Sequence, residues 1–351
     1  MGDERSVTRS ADMAASVAIG CLDDVAAGAR PLVIDEATGA LAAALVERGF
    51  AADLWLRRAT AQTAGAVWPS GGPFTSAFLR LPKAKDALDF SLHAAASVVA
   101  PGGTLVLFGA NDEGVRSVAG HLAAVADPVS TVAARRHCRV LAGARKAEIA
   151  GLRPNLGQWR NVREIALPGG MRPWVSYPGV FARGGLDPGT ALLLAHLPKL
   201  APRARVLDYA AGTGVAAAGL LQLAPGVDVD LVEIDALALA AAAENVPAAR
   251  AFPGVGLAAV GDARYDLILS NPPVHEGVAD DSAVLQALIA DAPRYLVPGG
   301  ALQIVVQRRI QAATLFEQTF GNVEQIAVNG GFQVLAGRRI SRNGAYIRSR
   351  P

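Results

Sequence analysis

The chain has 351 residues, 52% of them hydrophobic and 18% charged, with 37 Gly, 21 Pro and a net charge of +2; this excludes broad disorder and leaves room for two ordinary domains. Much of the apolar content is alanine, and runs such as Ala236 to Ala243 fall far short of the roughly 20 residues that cross a bilayer, so no membrane segment is expected. The opening MGDERSVTRSADMAA has no apolar centre of the signal-peptide kind, which points to the cytoplasm, and Cys21 and Cys138 have no CxxC partner, so neither a disulfide framework nor a zinc site is expected.

In chain order, Pro31 to Asp35 (PLVID) reads as a strand, Gly39 to Arg48 as a helix stopped by Gly49, and Ala52 to Leu56 as a second strand. Ser76 to Leu81 gives a third strand, a helix runs from about Lys85 to Val99, and Pro101-Gly102-Gly103 turns into the strand Thr104 to Gly109. This alternation predicts an α/β unit with a mostly parallel sheet and flanking helices. A basic belt follows. Between Arg135 and Arg183 ten Lys or Arg stand against two acids, +8 in a chain of net +2; it suits a polyanion, or is a solvated set of arginines. The domain join lies inside it, with Gln158 to Ile165 and Arg172 to Tyr177 read as a short hairpin.

The second half repeats the grammar: strand Arg205 to Asp208, helix Val215 to Leu223, strand Val229 to Glu233, helix Asp235 to Asn245, strand Tyr265 to Ser270, helix Ser282 to Leu296, then Pro298-Gly299-Gly300 into the strand Ala301 to Gln307. Pairing Asp35 with Asp208, Asp53 with Asp230, Pro82 with Pro272 and Pro101 with Pro298 gives offsets of 173, 177, 190 and 197. The steady rise is that of one fold duplicated, with longer loops in the second copy. The copies differ at the first turn, where Asp35 to Gly39 has one glycine and Asp208 to Gly214 has two. Only the second is equipped to hold a cofactor. The expected organisation is a degenerate domain over 1–150, a basic linker and hairpin over 151–175, and a cofactor-binding domain over 176–351.

In an open parallel sheet a ligand sits beyond the carboxyl ends of the strands. There Asp208 ends one strand, Gly212 and Gly214 let the backbone turn tightly into the next helix, and Glu233, ending the adjacent strand, can accept hydrogen bonds from ribose hydroxyls. A dinucleotide loop would read G-x-G-x-x-G, which the spacing does not supply. A further strand ends in Ser270-Asn271-Pro272-Pro273.

With these motifs the second half resembles the class I S-adenosylmethionine-dependent methyltransferases: acid and glycines at Asp208 to Gly214, an acid at Glu233, and N-P-P-x at Asn271 to Val274. More narrowly, Gly179-Val180-Phe181-Ala182-Arg183-Gly184-Gly185-Leu186-Asp187-Pro188-Gly189-Thr190 and the following Ala191 to Leu194 resemble the bacterial small-subunit ribosomal RNA guanine-N2 methyltransferases, whose first domain copy is degenerate. The resemblance covers most of residues 31–340. It implies two tandem Rossmann-like methyltransferase domains, the first supporting the second and positioning RNA. S-adenosylmethionine is the implied cofactor, held by Asp208, Ala210, Gly212, Gly214 and Glu233. Ribosomal RNA or an assembling subunit is the implied partner, no metal is required, and a monomer is expected.

A guanine amine is a poor nucleophile because its lone pair is delocalised into the ring. Acceptors for its N–H bonds turn the lone pair toward the methyl donor, and Asn271 Oδ1 with the Pro272 carbonyl can serve, stiffened by Pro272 and Pro273. Phe181, Arg183, Val274 and His275 are the substrate-side candidates. Val274 departs from the aromatic usual at that position, whose stacking is worth about 1 to 3 kcal/mol per base; Phe181 or His275 can substitute. Gln307 to Gln311 also departs from the family pattern, and Ala210 stands where many relatives have glycine, a change alanine tolerates at negative φ. No adenine-contacting acid is identifiable after the third strand, Asp262 lying too close to the Tyr265 strand.

His275 and Glu276 are read as pocket lining or loop capping, not as an acid-base pair, since the family mechanism needs no base. His93, His121, His137 and His196 lack metal-ligand spacing, Ser270 and Ser282 have no triad partners, and Trp55, Trp68, Trp159 and Trp174 read as packing. Two other functions fit parts of the pattern: methylation of another planar amine or amide, such as a protein glutamine, and an RNA-binding assembly factor without turnover.

Overall fold

The computed structural model describes residues 13–273 and 279–340, without the side chains of residues 183, 184 and 279–281. Its packing divides the chain into two compact units: the described residues to Asn161 with Tyr177–Gly179, and Val162–Ser176 with the described residues from Val180 onward. Among the described residues, no helix is long and apolar enough to cross a membrane.

The first unit runs α1 (13–19), β1 (Pro31–Ile34), α2 (Ala40–Glu47), β2 (Asp53–Trp55), β3 (Phe74–Arg80), α3 (Lys85–Val98), β4 (Val99–Ala110), α4 (Ala119–Val125), β5 (Ala126–Arg135) and β6 (Cys138–Arg145). Its six strands are ordered β2-β1-β3-β4-β6-β5. The first four are parallel, as their near-continuous apolar burial requires. Both cysteines are buried, and burial pushes each thiol's pKa up. Trp159 and Trp174 are buried too, which settles them as packing residues.

The second unit begins with the hairpin β7 (Asn161–Leu167) and β8 (Gly170–Ser176), whose inward Ile165, Leu167 and Trp174 join the core of this unit. Then come α5 (Pro188–Ala195), β9 (Arg205–Tyr209), α6 (Val215–Leu223), β10 (Asp228–Glu233), α7 (Ala236–Asn245), β11 (Arg250–Pro253), β12 (Tyr265–Ser270), α8 (Ala279–Tyr295), β13 (Leu296–Gln307), α9 (Ala313–Phe320), β14 (Glu324–Asn329) and β15 (Phe332–Arg338). Seven strands are ordered β11-β10-β9-β12-β13-β15-β14. Apolar clusters cover both faces of this sheet.

The two strand orders coincide once β11 is set aside. Leu32 pairs with Asp53 and Ala77 as Leu207 pairs with Asp230 and Ile268. This register corrects two of the landmarks read from sequence: Asp35 corresponds to Ala210, not Asp208, and Pro82 to Pro273, not Pro272. The β5–β6 and β14–β15 pairs and β11 are additions to the expected strands. β5 and β14 are largely exposed, without clean alternation, and β11 is four mostly exposed residues, so these three carry no apolar period that marks a strand.

The copies also share a brace at the amino edge of the sheet. Arg30 lies 2.8 Å from Asp53 and 4.7 Å from the Phe74 ring centroid; Arg205 lies 3.2 Å from Asp230 and 5.2 Å from that of Tyr265. The second copy elaborates it. Arg250 donates to both Asp230 oxygens at 2.8 and 2.9 Å, and the Tyr265 hydroxyl donates at 2.8 Å. Burial, then the bond to Asp230, holds the Tyr265 hydroxyl above its usual pKa. Asp53 is half exposed while Asp230 is enclosed, so the same pair should differ in worth. Urea denaturation of Asp53→Ala is expected to show a loss of about 0.2 to 1 kcal/mol. Asp230→Ala should lose about 1.5 to 3 kcal/mol, because its partners donate charge-assisted bonds to a buried acceptor; equal losses would contradict this.

Candidate active site

β9 lies between β10 and β12, with Tyr209 level with Val232 and Ser270. The loops that follow these three strands therefore leave the sheet at one edge. The loops carry Ala210 to Gly214 and Asn271 to Pro273, and Glu233 ends β10 beside them, bringing the motif residues of three distant segments together.

The first loop is more strained than its sequence suggests. Ala210 has φ +57°, where negative φ was expected, and the left-handed region costs a non-glycine residue about 1 to 2 kcal/mol. The turn is retained because Ala211 N–H donates to Val232 O at 3.1 Å, pinning the loop to β10. Gly212 and Gly214 follow with φ +56° and +86°. A Cβ on Gly214 would meet Val246 at 2.8 Å, whereas one on Gly212 would meet nothing within 4 Å: Gly214 permits packing against α7, and Gly212 faces open space. The hairpin supports the same loop, since Trp174 Nε1–H donates to Thr213 Oγ1 at 3.0 Å.

Two carboxylates hold the loop. Glu233 Oε2 accepts from Gly212 N–H at 2.8 Å, and Oε1 from Ile234 and Asp235 N–H at 2.8 and 2.9 Å. Glu233 is half-buried, with both of its oxygens accepting backbone N–H groups. Asp208 points inward, 2% exposed, and accepts Ala217 N–H of α6 at 3.0 Å. It braces the helix N-terminus from beneath. Burial raises its pKa to about 7, against the Ala217 bond and assisted by the Glu233 charge.

Asn271 stands where β12 ends, half-buried, with Pro272 buried and Pro273 exposed. Its Nδ2 lies 3.1 and 3.3 Å from the Asp187 carboxylate oxygens and 3.0 Å from Thr190 Oγ1. Asp187 caps α5 by accepting Gly189 and Thr190 N–H at 2.9 and 3.2 Å. The approach segment read from sequence therefore meets the N-P-P loop through two side chains that were given no role. Their signal was the Asp-Pro start of a helix, a cap followed by proline in the first turn, but a cap pattern does not say what else the carboxylate touches.

Phe181 sits on a short 3-10 turn, 61% exposed, and Arg163 Nη2–H donates to the neighbouring Ala182 O at 3.1 Å. The Arg183 side chain and the whole of Val274, His275 and Glu276 lie outside the described residues. β11 ends at Pro253 and Gly254 to Gly256 follow, while Asp262 lies exposed beyond a 3-10 turn at Leu257–Val260. Among the described residues no cluster of three or more His, Cys, Asp or Glu is set to hold a metal.

The first copy shows what the edge loses. By register, Val33 stands for Asp208, Leu56 for Glu233, Ala37 for Gly212 and Arg80 for Asn271. Glu36, 3% exposed, fills the equivalent turn with its own carboxylate, bonding Thr38 and Leu41 N–H at 3.0 and 3.2 Å. Arg80 is tied to Glu113 at 2.5 Å. That loop is closed on itself, and a donor-only cation stands where the second copy has an amide.

Residues 173–336 match the family model of the methyltransferase small domain, and residues 48–159 that of its N-terminal domain. The ribosomal RNA small subunit methyltransferase C of Shewanella amazonensis is 33% identical over 78% of this chain and 80% of its own length. That of Ectopseudomonas mendocina is 35% identical over 76% and 80%. Among solved structures, the 16S rRNA N2 methyltransferase of T. thermophilus, in complex with AdoMet and guanosine, superposes with a TM-score of 0.79 at 25% identity, covering 89% of this chain and 88% of the other.

The Asp208 carboxyl has a direct consequence for stability. Its pKa is 3.8 when unfolded and about 7 when folded, so the folded state holds the extra proton in between. The stabilisation is full below about pH 4, declines as the pH rises toward 7 and is lost above that. Asp208→Asn keeps an acceptor for Ala217 N–H without the buried charge. Thermal melts should show the variant about 4 kcal/mol more stable than the parent at pH 8, with the gap closing toward pH 4; parallel curves would show that the carboxyl does not titrate there.

Proposed function

Because the chain belongs to the ribosomal RNA small subunit methyltransferase C family, we propose that it transfers a methyl group from S-adenosylmethionine to the N2 amine of a guanine in small-subunit ribosomal RNA, in the cytoplasm. The observation that carries this reading is the Asn271 amide, held by its nitrogen at the same sheet edge as the Gly212–Gly214 turn and Glu233.

The edge fits the cofactor. Gly212 leaves open space where a side chain would intrude, Glu233 ends the adjacent strand half-buried, as an acid that meets ribose hydroxyls would, and Asp208 braces the turn between them. When bound, S-adenosylmethionine supplies a methyl group on a positively charged sulfur. Asn271 Oδ1 and the Pro272 carbonyl accept the two N–H bonds of the guanine amine, which directs its lone pair out of conjugation and toward the cofactor side. The prolines limit backbone adjustment in that loop, so the acceptors stand in place before substrate arrives. No side chain is needed as a base, since an alkylated amine readily releases its proton to water. Phe181, exposed within the approach segment, offers a ring face to the base.

Incubation of the purified protein with methyl-labelled donor and small ribosomal subunits, or naked ribosomal RNA, tests this directly. Nucleoside mass spectrometry should place the label in N2-methylguanosine. Label in protein, or RNA binding without label on either substrate, would overturn the reading. Asn271→Ala should lower kcat about 100- to 1000-fold with donor affinity retained, whereas Glu233→Ala should weaken donor binding about tenfold, the worth of a charge-assisted hydrogen bond, by calorimetry.

A further inference from the structure

We propose that Asp187 and Thr190 are positioning residues that commit the Asn271 amide to accepting, so that the site takes a nucleophile bearing N–H and refuses a carbonyl oxygen. The proposal rests on the function above and assigns a role to the segment between Leu186 and Thr190.

Counting hydrogens decides the orientation. The Thr190 hydroxyl has one proton, and it is given to Asp187 Oδ2 at 2.5 Å. Toward Asn271 it therefore offers only a lone pair, at 3.0 Å. The carboxylate oxygens at 3.1 and 3.3 Å are acceptors as well. All three neighbours of that amide atom demand hydrogen, and only the NH2 end of asparagine supplies it. A flipped amide would set Oδ1 against a carboxylate and a spent hydroxyl in a half-buried site, losing every bond and adding repulsion. Oδ1 is thereby the atom left for substrate. The carboxylate also polarises the amide through its N–H, which strengthens Oδ1 as an acceptor.

The pair is itself immobile. Thr190 is 5% exposed, and Asp187 is fixed by the two N–H bonds it accepts at the start of α5, with Pro188 in the first turn. An asparagine without such neighbours could present either end, and a guanine edge offers both an amine and the O6 carbonyl. Pinning removes the choice. The first copy supports the logic by contrast: Glu113 there holds Arg80, a side chain with donors and no acceptor.

Three variants separate positioning from folding. Asp187→Asn retains a good helix cap but removes the charge; Thr190→Val keeps the shape but removes the hydroxyl; Thr190→Ser restores it. Asp187→Asn and Thr190→Val should each lower kcat on small ribosomal subunits about 10- to 100-fold, the range seen when orienting partners behind metal ligands are lost. The KM for subunits and the Kd for S-adenosylmethionine should stay near parent values, and Thr190→Ser should recover most of the Thr190→Val loss. Independently of turnover, selective 15N-asparagine labelling should give an Asn271 side-chain NH2 signal, identified by its absence in Asn271→Ser, that is protected from solvent exchange in the parent and unprotected in Thr190→Val. Parent-level kcat in both variants, or a fall explained wholly by donor affinity, would overturn the proposal. So would an Asn271 signal unprotected in the parent. A parent with no transfer on any RNA but with the protected signal would overturn the function above and leave the amide orientation standing.

Discussion

Parallel pairing of β9 with β10 on one side and β12 on the other, Tyr209 level with Val232 and Ser270, is the constraint on which the site depends. A slip of one residue would turn every side chain of a strand to the opposite face. Leu207 and Ile268 lie in one apolar layer while Val206, Leu267 and Leu269 lie in the other, so a slip would bury Asp208 or Asp230 where neither has a partner. The cores on both faces therefore fix the register, and the register fixes which loops meet. The positive φ of Ala210 is a local cost sustained by strands that do not move.

The two copies show which end of this scaffold carries stability and which carries chemistry. At the amino edge both keep an arginine, an aspartate and an aromatic ring in the same places. At the carboxyl edge Val33, Leu56, Ala37 and Arg80 stand in place of Asp208, Glu233, Gly212 and Asn271. None of these requires the sheet to change. Glu36 takes over the one structural duty that remains, satisfying helix N–H groups that Asp208 serves in the second copy. Loss of a binding site and retention of a fold are compatible because the strand ends serve the first and the strand interiors the second.

Much of this was legible in the sequence. The parallel strands announced themselves through apolar runs bounded by glycine and proline, and Gly212, Gly214, Glu233 and Asn271 through spacing. The edge strands did not: antiparallel β5 and parallel β11 present mostly exposed residues, so pairing with neighbours creates these strands where local pattern does not. The duplicate was visible as a rhythm, but Asp35 and Asp208 were matched as acids after strands, whereas backbone register pairs Asp35 with Ala210. Those two share a positive φ, +54° and +57°, a property of the turn and not of the side chain. Asp187 and Thr190 were hidden for a different reason: they lie more than 80 residues from Asn271, and the contact exists only after α5 and β12 have been brought together by packing.

The two acceptors of the N-P-P loop are held by different means, and the difference explains why the distant helix is needed. A backbone carbonyl such as that of Pro272 has no donor face, so fixing the peptide is enough, and proline chemistry does that. The asparagine side chain retains a terminal torsion with two broad wells that exchange donor for acceptor. No proline can remove that freedom, and a neighbour that only accepts can. Asp187, which must sit at the start of α5 to satisfy its N–H groups, supplies such a neighbour at no extra charge burial beyond the cap itself. Acceptors fixed in advance reduce the ordering that substrate binding must supply, so the proposed amine substrate would need less help from stacking than it would at an unpinned loop.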